Sequence, residues 1–505
     1  MRKTVIVLMV VTLCSKIIGF SRELILSYFY GASNISDAYL ISTTIPATIF
    51  AFIGVGISTS FIPMYNKINI DHNEKDSKKF MNNIINFLMI FCIIIISIVF
   101  INTKFFVQIF ASGFDYETLK LAITLTRISI LGILFTTFVY IFNSFLQIKG
   151  NFLIPALTGI PLNIVIITSI ILSYYYELYY LAIGSVVAAL AQFILLLPSV
   201  KKENYKYHFR LNFKDKYTKE FIILSLPVIL GVSVNQINVL VDRTIASRIV
   251  SGGVSSLVYA DRLMVFIQGI FVTTLLTVIY PKISTLAAKK DLSELKKVIT
   301  NTFKLTLIVL LPMTSIVLIY SKEIISILFG RGEFDVKAIA LTSTALFYYG
   351  VGILGIAIRE IFSKSFYAFQ DTKTPIINAG ISVMINIFLN LILSKYLGIG
   401  GLALATSISA IISAFLMYSS FQKKFGDFKN TGMNRFTFKI IFSTIGMVAT
   451  SIMFKSLFSQ YLNDFLTLIC SIVISIFVFV LMLFVLKVEE IKPIINQSKR
   501  GKKDE

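Results

Sequence analysis

Long apolar runs with almost no charged residues recur along the entire chain, and they constrain its fold more than any other feature. Two examples are the stretches 88–101 and 465–486. Hydrophobic residues make up 56% of the 505 residues and charged residues only 14%. A soluble globule of this size lacks the interior to bury so many apolar side chains. A helix of about 20 apolar residues, by contrast, crosses a bilayer with its backbone groups paired. The sequence therefore predicts an all-α polytopic membrane protein.

Fourteen segments are long and apolar enough to be predicted as membrane spans. The first follows Arg2 and Lys3, and we interpret it as a retained span rather than a signal peptide, because Lys16 interrupts it and no small-residue cleavage site follows. Several segments are longer than a single crossing needs, so some helices must tilt, bend or protrude. The predicted spans are 4–28, 35–65, 80–103, 118–148, 152–174, 178–199, 219–248, 254–281, 297–320, 336–366, 374–395, 400–422, 436–456 and 463–487.

The distribution of Lys and Arg predicts the topology. The net charge of +21 would indicate a nucleic-acid partner in a soluble protein, but here most of the excess lies in short loops between spans. With the N-terminus in the cytoplasm, 32 of the 47 Lys/Arg residues fall on the cytoplasmic side, 9 on the opposite side and 6 within spans. This asymmetry follows the positive-inside rule. It predicts that both termini are cytoplasmic, that anionic membrane lipids are secondary partners and that nucleic acid is not a partner.

A short motif occurs twice with the same sequence context. Phe-Ala-Ser-Gly-Phe-Asp at 110–115 precedes the fourth span, and Phe-Gly-Arg-Gly-Glu-Phe-Asp at 329–335 precedes the tenth. A long helix, a polar turn and a proline follow each copy. The two prolines, Pro155 and Pro375, are separated by the same number of residues as the last residues of the two motifs. Six spans separate the copies, so both have the same orientation. This is typical of transporters whose two lobes are related by an axis along the membrane normal.

The repeat predicts two pseudo-symmetric six-helix lobes followed by two further helices. We interpret the Lys and Arg residues of the segment between the lobes as markers of the cytoplasmic side, with contact to lipid phosphates as the alternative. The predicted segments are an N-terminal lobe at 1–200, a basic cytoplasmic linker at 201–218, a C-terminal lobe at 219–425, helices 13 and 14 at 426–487 and a cytoplasmic tail at 488–505.

Cysteine and histidine patterns give no sign of a disulfide framework or a metal motif. Each of the three cysteines lies inside an apolar stretch, and the two histidines lie in polar loops far apart in sequence. We therefore expect no cofactor. The longest polar insertion is the linker at 201–218, which is too short to be an external catalytic domain. We expect a transporter rather than an enzyme or a channel.

Charged residues inside the predicted spans are the candidate functional residues. Each basic group at a helix centre costs about 2.5–3.5 kcal/mol in hydrocarbon, so we expect these groups to face a cavity or a partner. As a set they favour a basic central cavity for an anionic headgroup, and local pairing of each charge with a neighbour is the alternative. The basic residues are Lys16, Arg22, Arg127, Arg262, Lys304 and Arg359, and the acidic candidates are Glu23, Asp37, Asp242, Asp261 and Glu360.

Three stretches of the chain carry a resemblance to a known family. The first is Ser-Lys-Ile-Ile-Gly-Phe-Ser-Arg-Glu at 15–23, followed by Gly-Ala-Ser at 31–33 and Ser-Asp-Ala-Tyr at 36–39. The second is Tyr-Ala-Asp-Arg-Leu-Met at 259–264, preceded by Gly-Val-Ser-Val-Asn-Gln at 231–236, and the third is the polar string at 366–375. Together they resemble the MurJ (MviN) family of lipid II flippases. That family belongs to the multidrug/oligosaccharidyl-lipid/polysaccharide exporter superfamily.

The resemblance implies a function and a set of site residues. Members move lipid II, the undecaprenyl-pyrophosphate-linked peptidoglycan precursor, from the inner to the outer leaflet of the bacterial cytoplasmic membrane by alternating access. Basic residues of the cavity hold the pyrophosphate, and helices 13 and 14 form a groove for the polyprenyl tail. By position in the motifs, the resemblance implies headgroup binding by Arg22, Arg262, Lys16 and Glu23. Four further charged residues of the spans are candidates for supporting positions: Asp37, Asp261, Arg359 and Glu360.

The chain also departs from the family pattern. Many members carry an Arg pair early in helix 2, where Phe50 and Ala51 stand here, and Glu a few residues later, where Val55 stands. Many also carry Glu three residues after the helix 8 arginine, where Val265 stands. These differences leave another polyprenyl-linked saccharide open as the substrate. A drug or cation antiporter of the same superfamily is a more distant alternative.

The resemblance also implies that transport is coupled to membrane potential or to ions. A monovalent cation is therefore a candidate partner. The spacing of residues assigns no ligands to this cation, and Asp242 and Asn235 are candidate ligands only by residue type.

Overall fold

The computed structural model describes residues 2–426, 433–458, 461 and 463–488, and every regular element within these ranges is a helix. The predicted all-α class is confirmed. Two predicted regions lie partly outside the described residues: the start of the segment before helix 13 (427–432) and almost the whole tail (489–505).

The helices of the N-terminal half are α1 (Arg2–Tyr30), α2 (Asn34–Gly56), α3 (Ile62–Asp71), α4 (Glu74–Ile101), α5 (Thr103–Phe110), α6 (Tyr116–Ser129), α7 (Gly132–Ile148), α8 (Leu153–Leu157), α9 (Gly159–Tyr175) and α10 (Tyr180–Lys202). The later helices are α11 (Lys216–Ile249), α12 (Gly253–Ala288), α13 (Leu292–Phe329), α14 (Val336–Val351), α15 (Ile353–Ala368), α16 (Lys373–Leu397), α17 (Ile399–Phe425), α18 (Met433–Phe458) and α19 (Asp464–Val485).

The lengths of the helices confirm a multi-pass membrane protein. Among the described residues, ten helices are long and apolar enough to cross a membrane, and three bent helix pairs raise the number to as many as 13. One of the ten is a continuous helix of 38 residues in which α2 passes through a π-helical turn (Ile57–Phe61) into α3. The count of about fourteen spans remains a prediction.

The sequence repeat is also a repeat of local structure. α6 and α7 form a pair bent by 43°, and α14 and α15 form a pair bent by 46°. The first pair begins at Tyr116 and ends at Ile148, and the second begins at Val336 and ends at Ala368. The starts of the two pairs are therefore separated by the same number of residues as their ends. The motif that occurs twice in the sequence therefore precedes two helix pairs of matching length and bend.

The turn that follows each bent helix pair has the same backbone conformation and hydrogen bond in both copies of the repeat. Gly150 has a φ of +77° and donates its N–H to the Gln147 carbonyl at 3.0 Å. Gln370, at the equivalent position of the second copy, has a φ of +59° and donates to the Tyr367 carbonyl at 2.9 Å. A left-handed residue just after the last helical turn is a common way to end a helix. The polar string at 366–375 is thus a helix-ending turn.

The side chain after each left-handed residue caps the next helix. Asn151 accepts the Ile154 N–H at 3.3 Å, and Asp371 accepts the Thr374 N–H at 3.0 Å. Burial raises the pKa of Asp371, but the Lys424 ammonium at 2.7 Å and the Thr374 donors outweigh it and hold the pKa at about 2. Because this pKa is depressed, the stabilising contribution is complete above the ordinary pKa of 3.8 and is lost as the pH falls toward 2.

The helices pack into two compact units. The first comprises Met1–Ser256 and Arg331–Ala338, and the second comprises Leu257–Gly330 and Ile339–Glu505. The lobe boundaries at 200 and 219 remain a prediction. The two helices at the C-terminal end, α18 and α19, both lie in the second unit.

Polar contacts join α18 and α19 to α13 at a kink. Tyr320, the residue of α13 with non-helical dihedral angles, is fully buried and donates its hydroxyl to the Ser451 carbonyl at 3.0 Å. The same hydroxyl contacts Ser471 of α19. One helical turn beyond, Lys455 pairs with Glu323 at 2.6 Å. Helices with such buried polar contacts gain association energy in an apolar medium, where water offers no competing partner.

The left-handed turn at Gly150 generates a prediction. A Cβ at this position would meet no atom within 4 Å, so Gly150→Ala should be destabilising only through its backbone conformation, by about 1 kcal/mol. Gly380 is the matched control, because it also has open space around it but lies inside α16 with a helical backbone. We expect Gly380→Ala to be neutral or stabilising. Thermal unfolding in detergent measures both, and equal effects of the two substitutions would contradict this account.

Candidate functional site

Arg22 of α1 lies in a group of hydrogen-bonded polar side chains within the first unit. Its Nη2 contacts the Glu23 Oε1 at 2.6 Å, and its Nη1 donates to the Asn163 Oδ1 at 3.2 Å. The Glu23 side chain is 5% exposed and the Arg22 side chain 23% exposed. A buried carboxylate requires a partner of opposite charge, and the guanidinium provides it. The Arg22 side chain as a whole keeps some exposure despite this pairing.

Asn163 is a member of this group that the sequence patterns did not identify. It lies on α9, is buried, and donates its Nδ2 to the Gly159 carbonyl at 2.8 Å, which fixes the direction of its side chain. Gly19 of α1 faces it, and a Cβ there would lie 3.4 Å from the Asn163 amide. An amide in the middle of an apolar span is the sequence signal that could have identified this residue.

Lys16 is on the same helix as Arg22 but is not part of the group. Its side chain is exposed, and no hydrogen bond or ion pair of Lys16 with another described residue is formed. The two residues are six positions apart, which corresponds to about 600° around a helix, so they lie on different faces. The structure therefore brings together Arg22 and Glu23 of the predicted binding residues, but not Lys16.

Asp37 caps the N-terminus of α12. This carboxylate of α2 is 1% exposed and accepts hydrogen bonds from the Gly252 N–H at 3.0 Å, the Ser255 N–H at 2.7 Å and the Ser255 hydroxyl at 2.6 Å. The orphan N–H groups and the dipole of a helix N-terminus stabilise a negative charge. These hydrogen bonds therefore give Asp37 a structural role, which is to cap the N-terminus of α12.

The other four predicted site residues belong to the second unit. Arg359 and Glu360 of α15 pair with each other at 3.1 Å, and both side chains are 36% exposed. In α12, Arg262 is exposed and Asp261 is half-buried. No cluster of three or more His, Cys, Asp or Glu side chains that could hold a metal ion occurs in the part of the chain that the structure describes.

The departure from the family pattern at Phe50 has a packing explanation. The Phe50 ring is 5% exposed and lies edge-on to the Tyr140 ring, with 4.9 Å between ring centroids. Gly54, one turn later, makes room for both rings, since a Cβ there would lie 2.8 Å from Phe50 and 3.0 Å from Tyr140. An aromatic pair therefore occupies the helix 2 position at which the family resemblance implies a basic residue. Val265, in contrast, is 51% exposed.

Comparison with known proteins identifies the family of the chain. The family described as "Lipid II flippase MurJ" matches residues 26–480. The chain belongs to the lipid II flippase MurJ family. A "Probable lipid II flippase MurJ" of Buchnera aphidicola subsp. Acyrthosiphon pisum is 30% identical over 462 residues, which cover 90% of this chain and 89% of the relative. A protein of the same description from Thermotoga maritima is 29% identical and covers 96% of this chain and 97% of its own length.

A solved structure of the same family has the same fold. The structure titled "Lipid II flippase MurJ, inward closed conformation" superposes with a TM-score of 0.83 at 26% identity, covering 97% of this chain and all of that chain. An inward-facing MATE family multidrug resistance transporter of the MOP superfamily has a TM-score of 0.68 at 14% identity, over 84% of this chain and 99% of that chain. This second likeness is one of fold alone.

The Phe50 contact generates a second prediction. Phe50→Arg replaces a buried ring with a charge that has no partner, and we expect a loss of about 3–5 kcal/mol of stability. Phe50→Leu keeps an apolar side chain and should cost about 1–1.5 kcal/mol. Membrane protein levels and thermal unfolding in detergent distinguish the two. An arginine variant as stable as the leucine variant would show that position 50 opens into water.

Proposed function

We propose that this protein is a transporter that moves lipid II from the inner to the outer leaflet of the bacterial cytoplasmic membrane, with both termini in the cytoplasm. Membership of the MurJ family over residues 26–480 is the observation that carries the proposal. The Arg22 group supports it, because an arginine held inside a membrane domain and still partly exposed suits an anionic headgroup. No step of the proposed function makes or breaks a covalent bond.

Arg22 is the proposed first contact of the pyrophosphate. A guanidinium has five N–H donors in a planar fork, and phosphate oxygens accept two of them in parallel. The Glu23 carboxylate accepts from Nη2 and the Asn163 amide oxygen accepts from Nη1, so the two residues orient the fork together. Because Asn163 is neutral, a phosphate oxygen can replace it at Nη1 without breaking the Arg22–Glu23 ion pair. Arg262 and Lys16, both exposed, are the proposed additional cations.

Alternating access with assistance from the membrane potential is the proposed mechanism. A pyrophosphate diester carries about two negative charges, and outward movement across an inside-negative membrane is favourable by about 2.3 kcal/mol per charge per 100 mV.

We further propose that α18 and α19 accommodate the polyprenyl chain, since many of their apolar side chains are exposed. A monovalent cation remains a second proposed source of coupling.

A flippase for another polyprenyl-linked saccharide is the alternative, and the packing of Phe50 favours it. Helix 2 has a packed aromatic ring and no cation at position 50, so a headgroup that needs a helix 2 arginine would bind less well. The pyrophosphate and the polyprenyl chain are common to both substrates. The two functions therefore differ in the sugar and peptide part of the headgroup.

Complementation of a bacterium depleted of its own lipid II flippase tests the proposal. We expect the wild type to restore growth, and Arg22→Ala and Arg262→Ala to lose at least ten-fold in transport at normal membrane levels, because each removes a charged contact worth about 1.5–3 kcal/mol. Arg127→Ala is the matched control. Arg127 also lies in a membrane helix, but it packs on the Phe100 ring at 5.4 Å, and its loss should leave growth intact.

Three outcomes of this experiment are informative. Failure of a well-expressed wild type would favour the alternative saccharide. Growth of the Arg22→Ala strain at the wild-type rate would contradict the assigned site. Transport that continues unchanged after the membrane potential is collapsed would contradict the proposed driving force.

The neutral partner of Arg22 generates a further prediction. Asn163→Asp keeps the shape of the side chain but adds a second carboxylate next to Arg22, and we expect transport to fall by about ten-fold or more, since a nearby charge is worth on the order of 1–4 kcal/mol. Asn151→Asp is the control, because the equivalent turn of the second repeat already has Asp371 in the same capping role. Equal transport by the two variants would contradict the role given to Asn163.

A further inference from the structure

Three asparagines of α4 bind the backbone and the tyrosines of the linker between α10 and α11. Asn83 exchanges two hydrogen bonds with one residue: its Nδ2 donates to the Asn212 carbonyl at 3.0 Å, and its Oδ1 accepts the Asn212 N–H at 2.6 Å. Asn83 is 2% exposed. A buried amide that is fully hydrogen-bonded fixes the segment it contacts. The linker is therefore an ordered part of the first unit.

The two neighbouring asparagines extend this contact along the linker. Asn82 accepts the Tyr205 hydroxyl at 2.5 Å, and Asn86 accepts the Tyr207 hydroxyl at the same distance. Asn86 also donates its Nδ2 to the Arg210 carbonyl at 3.0 Å. The backbone and the tyrosine hydroxyls of the segment 205–214 thus point toward α4. We call this segment the linker strip.

The position of the linker strip along α4 places it at the edge of the apolar region. The first turns of α4, at 74–79, consist almost entirely of charged residues, and an apolar run begins at Phe87. The Phe213 ring of the linker strip lies edge-on to the Phe87 ring, with 6.1 Å between centroids. α4 is one of the candidate membrane spans. The linker strip is therefore level with the change from polar to apolar side chains, where lipid headgroups meet acyl chains.

The outer face of the linker strip alternates exposed aromatic and basic side chains. Phe209 is 75% exposed and Phe213 57%. The Tyr207 ring is also exposed, although its hydroxyl is bonded to Asn86. Lys206, Arg210 and Lys214 are interleaved with them and are also exposed. Residues 201–219 contain seven Lys/Arg and two acidic residues. Aromatic rings at the headgroup level together with several cations are typical of a surface that contacts anionic lipid.

A cavity beside the linker strip does not attract anions as the exposed cations of the strip do. It has a volume of about 220 Å³, and its charged lining residues are Asp76, Lys79, Arg210 and Asp215, whose formal charges cancel. Lys79 is already paired with Asp76 at 2.6 Å. The lining of this cavity therefore has no net charge to attract an anion. Arg210 lines the cavity and is also exposed, as are Lys206 and Lys214 of the linker strip.

We propose that the linker strip is a binding surface for anionic phospholipid headgroups in the leaflet at that end of the membrane spans. Lys206, Arg210 and Lys214 contact the phosphates, and Phe209 and Phe213 insert their rings between the headgroups. The contacts with α4 described above hold the backbone so that both kinds of side chain face the membrane. This surface is separate from the Arg22 group, and the inference does not rest on the proposed transport of lipid II.

A single tryptophan tests the depth of the linker strip. The chain contains no Trp, so Phe209→Trp introduces a unique fluorophore into the full-length protein. In vesicles of phosphatidylcholine with phosphatidylglycerol, we expect blue-shifted emission that bromine-labelled acyl chains quench. In vesicles of phosphatidylcholine alone, the quenching should be weaker. A variant with Tyr396→Trp, at an 81% exposed position near the end of α16, provides the reference for a ring on another surface of the protein.

Charge removal tests the preference for anionic lipid. In the Phe209→Trp background, Lys206→Gln, Arg210→Gln and Lys214→Gln together should abolish the difference between the two vesicle types, with roughly a five-fold loss of phosphatidylglycerol binding per charge removed. The matched control removes three exposed lysines from the end of α12 and the turn after it: Lys282→Gln, Lys289→Gln and Lys290→Gln. The control lowers the net charge by the same amount and should keep the difference.

The possible results separate the proposal from its rivals. Water-like emission from the tryptophan at position 209 in both vesicle types, or equal quenching in both, would overturn it. An equal loss of lipid preference in the two triple variants would show that net charge, and not the linker strip, attracts the lipid. Inorganic phosphate that removes the preference at constant ionic strength would identify the site as one for free phosphate.

Discussion

The cost of keeping a charge away from water is the constraint on which the arrangement of polar side chains depends. Buried and half-buried carboxylates have specific partners: Glu23 has Arg22, Glu323 has Lys455, and Asp37 has the N-terminus of α12. Helices supply their own backbone hydrogen bonds, so only side chains and helix ends need such partners. The Arg22 side chain is paired with Glu23 and is still 23% exposed, which suits the proposed binding of an anion.

Family motifs in this chain serve different physical purposes. The polar string at 366–375 is the most specific of them in sequence, yet its residues end one helix and cap the next, as Gln370 and Asp371 show. The motif around Arg22 and Glu23 provides an ion pair inside a membrane domain. The backbone geometry of a turn restricts which residues can form it, so a turn gives a distinctive sequence motif without contacting a substrate. A residue of the candidate site can be surrounded by much less distinctive sequence, as Asn163 is.

Departures from the family pattern are accompanied by compensating structure. Phe50 stands where the family resemblance implies a basic residue, and Tyr140 and Gly54 provide the contact and the space that its ring requires. The linker between α10 and α11 is also organised by side chains outside it, because asparagines of α4 such as Asn83 bind its backbone. In both places the chemistry of one segment is decided by a helix that is distant in sequence.

The sequence by itself determined the helical membrane class and the internal repeat, and it singled out Arg22 and Glu23 as candidate site residues. Apolar run length, charge asymmetry and motif spacing are properties of a single segment, and a bilayer imposes them directly. Tertiary structure alone decided that Asn163 joins Arg22, that Lys16 does not, that Asp37 caps a helix and that the basic linker is ordered. These depend on contacts between residues far apart in the chain, or on which face of a helix meets a neighbour, and no local pattern encodes either.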